Sequence, residues 1–247
     1  MLLLVGCGTP ERRWPFPRAD ARDDAAILAT LADRTSGIDS LYAELAMAFE
    51  ATERSAVFTA VVNYRAPDRI RMSAFKDILI ASRSIFEFLL DGDRYITVFE
   101  GDGGPERQEG TLAQVDLVQP GFRAMIALRE AMFLPGRIQP GAPARIERAS
   151  GQTTLHTVTP SGHAVRWDLD PDTLGVVSGQ VSFEGSQQPV TVQYESYRQA
   201  GKVYVPERFR LSDPAGGIVV EGWLEDLEVN PDLDPGIFDP AALDPRS

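Results

Sequence analysis

The stretch "SIFEFLLDGDRYITVFE", residues 84–100, indicates how the chain folds. Two runs rich in aromatic and β-branched residues flank Asp91 and Gly92, a dipeptide typical of the tight turn between antiparallel strands. Turn signals of the same kind at 161–162 and 200–201 separate other pairs of runs. About a dozen strand candidates follow one another along the chain. They predict a mainly β fold, built as one large curved antiparallel sheet, a sandwich or a barrel.

The first two strand candidates predict the wall of an apolar interior. In "LYAELAMAF", residues 41–49, the alanines favour a helix, but apolar residues at alternate positions tip the prediction to a strand. The next run, which begins at Ala56, repeats the period of two. If the two runs pair as a hairpin, the inward face carries Leu45, Met47, Phe58 and Val62.

A short helix is predicted ahead of these strands. Asp23 and Asp24 are suitable residues to cap its start, and Gly37 is suitable to end it. The apolar face between them comprises Ile27, Leu28 and Leu31. This helix can therefore pack one side against the sheet.

A second helix is predicted in "PGFRAMIALREAMFLPG", residues 120–136, bounded by Pro120 and Pro135. Its broad apolar face consists of Phe122, Met125, Ile126, Met132 and Phe133. The helix can be interpreted as ordinary core packed on the sheet. It can also be interpreted as a cover over the mouth of an apolar cavity, since Met side chains adapt to variable contents.

The N-terminal stretch "MLLLVGC" is interpreted as a truncated lipoprotein signal, residues 1–7, that ends in a lipobox. A small residue, Gly6, precedes Cys7, whose thiolate is the nucleophile that would receive lipid. The charged region of a complete signal peptide is missing. The alternative is a short apolar N-terminus with an incidental Cys. Residues 8–22 have no period and are predicted to be a flexible tether.

No composition break divides the rest of the chain, so one domain is predicted over residues 23–240. Its last part is rich in Pro and Asp and should be irregular, with Ile237 and Phe238 docked on the domain. Residues 241–247 are predicted to be an irregular tail.

Composition and motifs argue against several functions. The net charge of −12 is unsuited to nucleic acid, which requires a basic face. The sequence contains no GxSxG elbow, phosphate loop, HExxH or CxxC, so neither a catalytic residue nor a metal or other cofactor is predicted. His156 and His163 flank a turn and lack a third ligand, which favours a structural role for both.

Several short motifs together resemble the LolA/LolB-like lipoprotein-carrier superfamily. They are the lipobox, "YRAPDRIRM" at 64–72, "LLDGDRYITVFE" at 89–100, the Phe/Met-rich helix and "VPERFRLSDPAGGIVVEGWLEDLEVNPDLDPGIF" at 205–238. The resemblance implies an incomplete β-barrel of about eleven antiparallel strands, with helices covering its concave, apolar side. It also implies that lipids or the acyl chains of lipoproteins bind there without catalysis.

A lipid-anchored member resembles the outer-membrane acceptor of this family more than its soluble carrier. The expected location is therefore the outer membrane, anchored through Cys7 and facing the periplasm, with the chain as a monomer. The acceptor has a protruding apolar loop, and "DILIAS", with Ile78, Leu79 and Ile80, is either that loop or the extension of a strand.

Two main hypotheses follow for function. In the first, the chain is an envelope lipoprotein whose apolar cavity binds acyl chains or lipids. In the second, it is a scaffold lipoprotein that docks an envelope protein partner, and its own side chains fill the cavity. An enzyme would require convergent titratable groups, which the sequence does not place in the interior. An open volume of several hundred Å³ would favour the first hypothesis.

Overall fold

The computed structural model of the chain contains one large sheet, two α-helices and two 3₁₀ helices in its described part. It describes residues 14–19, 23–51, 54–78, 81–101, 104–112, 120–132, 135–138, 142–159 and 162–243.

The sheet contains thirteen antiparallel strands within the described residues. They are β1 (Ser40–Ala51), β2 (Arg54–Arg65), β3 (Arg69–Ile78), β4 (Ala81–Asp91), β5 (Arg94–Gly101), β6 (Gly104–Thr111), β7 (Arg145–Ala149), β8 (Gln152–Val158), β9 (Ala164–Leu169), β10 (Val176–Ser182), β11 (Val190–Ala200), β12 (Val203–Asp213) and β13 (Ile218–Val229). Each of the strand candidates seen in the sequence corresponds to one of these strands, and β6 is additional.

Two meanders form the sheet, and they meet at its centre. The strand order is β6-β5-β4-β3-β2-β1-β13-β12-β11-β10-β9-β8-β7, so strands that are neighbours in sequence pair within each meander, and β1 joins the two by pairing with β13. The strands β6 and β7 are the opposite edges, and the sheet is open. The fold is thus the large antiparallel sheet that the resemblance implies, with thirteen strands instead of about eleven.

The first helix, α1, spans Asp24–Thr35 and begins as predicted. The Asp23 side chain accepts a hydrogen bond of 2.7 Å from the backbone N–H of Ala26, which satisfies one of the free donors of the first turn. The helix buries Ile27 and Leu31 in the main core. We call the face of the sheet that α1 covers the inner face.

The second helix, α2, spans Pro120–Met132 and also lies on the inner face. It belongs to the segment between β6 and β7, which joins one edge of the sheet to the other. On the way, α2 packs against β11 and β12. The Tyr194 hydroxyl of β11 donates a hydrogen bond of 3.0 Å to the carbonyl oxygen of Ala131.

Large aromatic side chains fill the inner face at β9–β13. Trp167 lies over Gly179 of the neighbouring strand, where an added Cβ would stand 2.1 Å from the Trp167 ring. Phe209 lies in the same way over Gly222, with a corresponding distance of 2.3 Å. The glycines let the rings rest on the backbone. At β9–β13 the inner face is therefore occupied by side chains of the sheet itself.

The C-terminal residues 231–243, which we call the C-terminal strap, cover part of the outer face. The strap contains 3₁₀ helices at Pro235–Phe238 and Pro240–Leu243. Phe238 is buried and Ile237 is partly buried, so both dock as predicted. Leu243 is also buried, which corrects the prediction that an irregular tail begins at residue 241.

Residues 14–19 correct the prediction of a flexible tether over 8–22. The Phe16 ring is buried and lies 4.8 Å from the ring of Tyr197 and 4.5 Å from that of Tyr204. The guanidinium of Arg34 lies 4.7 Å from the centre of the same ring. Two aromatic rings in this segment supply enough apolar surface to hold it on the domain, since Trp14 also packs against the core.

Candidate binding site

A small apolar cavity lies between α2 and the inner face of β2–β4. Its volume is about 10 Å³, close to the minimum that one water molecule requires. It is lined by Val62, Ile70, Met72, Phe88, Met125, Leu128, Arg129 and Met132. Seven of these eight side chains are apolar, so the cavity is suited to hydrocarbon.

The floor of the cavity is a row of side chains that crosses three strands. Val62 of β2 pairs with Met72 of β3, and Met72 pairs in turn with Phe88 of β4. Paired residues of antiparallel strands point to the same face, so the three side chains lie side by side. The row is therefore a consequence of the register of the sheet.

The roof of the cavity is one stripe of α2. Met125, Leu128, Arg129 and Met132 are spaced i, i+3, i+4 and i+7, which places them on one side of a helix. Methionine contributes on both sides of the cavity, because Met72 belongs to the floor. Its unbranched, polarizable side chain repacks more readily than a branched one.

Polar contacts hold α2 on the other side, towards β11 and β12. The Arg123 guanidinium lies 3.1 Å from the Asp213 carboxylate, whose side chain is fully buried. It also donates a hydrogen bond of 3.0 Å to the Ser186 hydroxyl. The contacts of α2 with the cavity floor are mainly apolar, so the two sides of the helix are attached by different forces.

Arg129 is the charged residue of the apolar stripe. Its side chain is only 6% exposed. The Nε donates a hydrogen bond of 2.7 Å to Glu130, and Nη2 is also bonded to that carboxylate. The Nη1 atom is buried and has no hydrogen-bond partner among the described residues.

A second arginine, Arg137, lies near the cavity and contacts Tyr64 at the end of β2. Arg137 donates hydrogen bonds to the Tyr64 hydroxyl and, over 3.1 Å, to the Pro67 carbonyl oxygen. Tyr64 pairs with Ile70, a residue of the cavity floor. Burial raises the pKa of Tyr64, and Arg137 opposes that shift by stabilising the phenolate.

The nine residues predicted to line a cavity have different positions. Val62, Met125 and Met132 line it. Leu45, Met47 and Ile126 are buried in the main core, and Phe58 is partly buried against that core. Met47 pairs with Phe58, so the hairpin of β1 and β2 forms with the predicted face inward. The side chain of Phe122, and all of Phe133 and Cys7, lie outside the described residues.

Five lining residues were not predicted, namely Ile70, Met72, Phe88, Leu128 and Arg129. The signal for the first three was the alternation of apolar residues in β3 and β4. This alternation predicts which side chains point inward, but not which other elements they contact. The signal for Arg129 was its i+4 spacing from Met125, which places a charge on an apolar stripe. Of the two interpretations of "DILIAS", the extension of a strand holds at Ile78, where β3 ends, and Leu79 and Ile80 lie outside the described residues.

Titratable groups elsewhere do not form a metal centre in the part of the chain that the structure describes. His156 lies 3.2 Å from the Glu147 carboxylate, and the His163 ring packs 4.7 Å from that of Phe183. Across the hairpin His156 pairs with Arg166, so the two histidines are not opposite each other. No helix within the described ranges has the length and apolar character needed to cross a membrane.

Comparison with known proteins identifies the class of fold. No protein-family model and no curated protein sequence matches the chain. A crystal structure of a LolA superfamily protein from Nitrosomonas europaea is similar to 89% of this chain and 98% of its own, with a TM-score of 0.59 and 14% identity. The chain therefore has a LolA-like fold.

Two further crystal structures are similar over most of their length. A DUF1329 family protein from Desulfovibrio piger matches 87% of this chain and 96% of its own, with a TM-score of 0.58 and 13% identity. A domain from Vibrio parahaemolyticus, named for outer membrane lipoprotein sorting, matches the same shares with a TM-score of 0.57 and 12% identity. At such identities the similarity concerns the fold.

Proposed function

We propose that the chain binds the acyl chains of lipids or lipoproteins between α2 and the floor formed by β2–β4. The observation that carries this proposal is the apolar stripe of α2 facing an apolar row of the sheet, with methionines on both sides. The LolA-like fold supports it, since one similar structure is named for lipoprotein sorting. The activity requires no catalytic residue.

Binding requires α2 to move away from the floor, because the cavity of about 10 Å³ is too small for an acyl chain. The polar contacts on the β11 and β12 side can act as the hinge, since they hold one side of the helix while the apolar contacts separate. An acyl chain would replace these apolar contacts with equivalent ones. The exchange therefore avoids exposing the floor to water.

The energetics of such binding are favourable. Each buried CH₂ contributes about 0.8 kcal/mol, so a chain of about ten carbons supplies roughly 8 kcal/mol. Immobilisation of the chain removes several kcal/mol of this, so a ten-carbon chain binds weakly, whereas a chain of about sixteen carbons supplies roughly 13 kcal/mol and retains about 8 kcal/mol, a dissociation constant on the order of micromolar.

The proposal places the protein in the cell envelope, as a monomer anchored to the outer membrane through lipid on Cys7 and facing the periplasm. The lipobox supports the anchor, and the residue after it, Gly8, differs from the Asp that commonly retains lipoproteins in the inner membrane. Lipids or lipoprotein acyl chains are the proposed partners.

The small cavity also favours a second candidate function, that of a scaffold. A sheet whose inner face is filled by its own side chains can display its surface to an envelope protein without binding lipid. The two candidates differ in whether the purified protein carries or takes up lipid.

Substitution of Met125 by Asp tests the proposed function. Met125 is partly exposed and lines the cavity, so the change should leave the fold intact while placing a charge where hydrocarbon binds. We expect titration with a fluorescent fatty acid to give micromolar affinity for the wild type and a loss of about tenfold or more in the variant.

The matched control is Val57→Asp. Val57 is 72% exposed, so this substitution introduces the same charge outside the cavity. Its affinity should equal that of the wild type. Absence of binding to all three proteins at tens of micromolar, together with no lipid in organic extracts of the purified wild type, would overturn the carrier function in favour of the scaffold.

A further inference from the structure

The cavity contains one feature that binding of hydrocarbon alone does not require, the guanidinium of Arg129. A charged side chain that is 6% exposed loses most of its hydration, and this loss is offset only if charged or polar partners replace the water. A core helix would more favourably carry Leu or Met at this position. The charge is therefore a candidate for recognition of a ligand.

Arg129 retains unused capacity for hydrogen bonds. A guanidinium has five N–H donors in a planar fork, and Glu130 engages Nε and Nη2. Nη1 is buried without a partner among the described residues, and it belongs to a residue that lines the cavity. An oxygen acceptor that entered the cavity could thus bond to Nη1, and a bidentate anion could bond to both terminal nitrogens.

The surroundings contain groups of both signs. Arg137 is a second cation nearby, bonded to the Tyr64 hydroxyl, while Glu130 and Asp68 are close enough to raise the pKa of Tyr64. Among these groups, Glu130 is the carboxylate with which Arg129 forms a salt bridge. An incoming anion would compete with Glu130 for the guanidinium or join it.

We infer that Arg129 binds the anionic head group, a carboxylate or a phosphate, of an amphiphile whose acyl chain lies between α2 and β2–β4. This inference rests on the proposed function and names the ligand class: an acyl chain with a negative head rather than an uncharged one. The stripe of α2 then has two tasks. Met125, Leu128 and Met132 contact the chain, and Arg129 bonds the head.

Three ten-carbon probes separate the head from the chain, namely decanoic acid, decyl phosphate and decanol. At pH 7 the first two are anionic and the third is uncharged, while the chain is the same. Isothermal titration calorimetry of the wild type should show at least one anionic probe binding about tenfold or more tighter than decanol. The tighter of the two anions identifies whether the carboxylate or the phosphate is preferred.

Substitution of Arg129 by Gln should abolish this preference, so that the anionic probes bind the variant no more tightly than decanol does. The matched control is Arg210→Gln, which removes the same charge from β12, where Arg210 forms an exposed ion pair with Glu221 of β13. It should retain the preference. If Arg129→Gln does not fold, Glu130→Gln provides a second test, because removal of the competing carboxylate should raise the affinity for the anions several-fold but not that for decanol.

The outcomes distinguish this inference from the function on which it rests. Equal affinity of the wild type for all three probes would overturn the head-group assignment while supporting binding of acyl chains. A preference that persists in Arg129→Gln, or anion affinity that Glu130→Gln leaves unchanged, would also overturn it. Absence of binding to every probe would overturn the proposed function itself.

Discussion

At the scale of the residue, the ion pair between Arg123 and Asp213 determines where α2 is fixed. Asp213 is fully buried and the Arg123 side chain is 12% exposed. The Asp213 carboxylate also accepts a hydrogen bond of 3.3 Å from the backbone N–H of Gly216. Loss of one partner would leave the other charge buried and unpaired. Breaking this pair should therefore lower the free energy of unfolding more than breaking an ion pair on the surface.

Substitution of Asp213 by Ala should lower the free energy of unfolding by about 3–5 kcal/mol, as measured by urea denaturation. The control is Glu221→Ala, which breaks the exposed ion pair with Arg210, a residue of β12 like Asp213. This substitution should cost less than about 1 kcal/mol. Equal losses in the two variants would show that the buried pair does not anchor α2.

At the scale of the element, the C-terminal strap is an irregular segment that nevertheless belongs to the folded domain. It covers Leu89, Ile96 and Val98, which form an apolar patch on the outer face together with residues of the strap. Two arginines of the sheet hold its backbone: Arg65 donates to the Leu233 carbonyl oxygen, and Arg71 donates over 3.0 Å to that of Ile237.

Substitution of Phe238 by Ala should cost about 3–5 kcal/mol of unfolding free energy, because it removes a side chain that is only 4% exposed. Ile237→Ala is the matched control. It truncates the partly buried neighbour and leaves the carbonyl group bonded to Arg71, so the loss should be smaller. A thermal or urea melt in which Ile237→Ala is the more damaging change would contradict this account of the strap.

At the scale of the whole molecule, the packing of residues 14–19 against the core sets how far Cys7 can lie from the folded domain. Trp14 is packed against the core, seven positions after Cys7. A chain of about seven residues spans at most about 25 Å when fully extended. If Cys7 carries lipid, the end of the domain near Phe16 lies close to the bilayer surface.

Substitution of Cys7 by Ala should release the protein from the membrane fraction of cells without changing its thermal melt, because Cys7 precedes the described domain. Fractionation followed by immunoblotting measures the distribution. Stable anchoring requires a multiply acylated Cys, since one acyl chain gives only marginal membrane binding. A variant that remains in the membrane fraction would refute the anchor.

The local patterns of the sequence were sufficient for twelve of the thirteen described strands, for the two α-helices and for the faces that they bury. The period of two predicted the β1 and β2 hairpin with its inward face, and the turn at Asp91-Gly92 predicted that β4 and β5 pair. Asp23 caps α1 as expected. The strand β6 was missed because it is a polar edge strand without alternation, which is stabilised by its pairing with β5.

The sequence by itself determined the alternating strands, the two helices and the docking of Phe238, because each depends on contacts within a few residues or on burial of an apolar side chain. Only the tertiary structure decided that Val62, Met72 and Phe88 form one row, that Arg129 faces it and that Phe16 packs on β11 and β12. These contacts join residues far apart in the chain. The row depends on the registers of β2 with β3 and of β3 with β4, and the other two contacts depend on packing between separate elements, none of which a local period encodes.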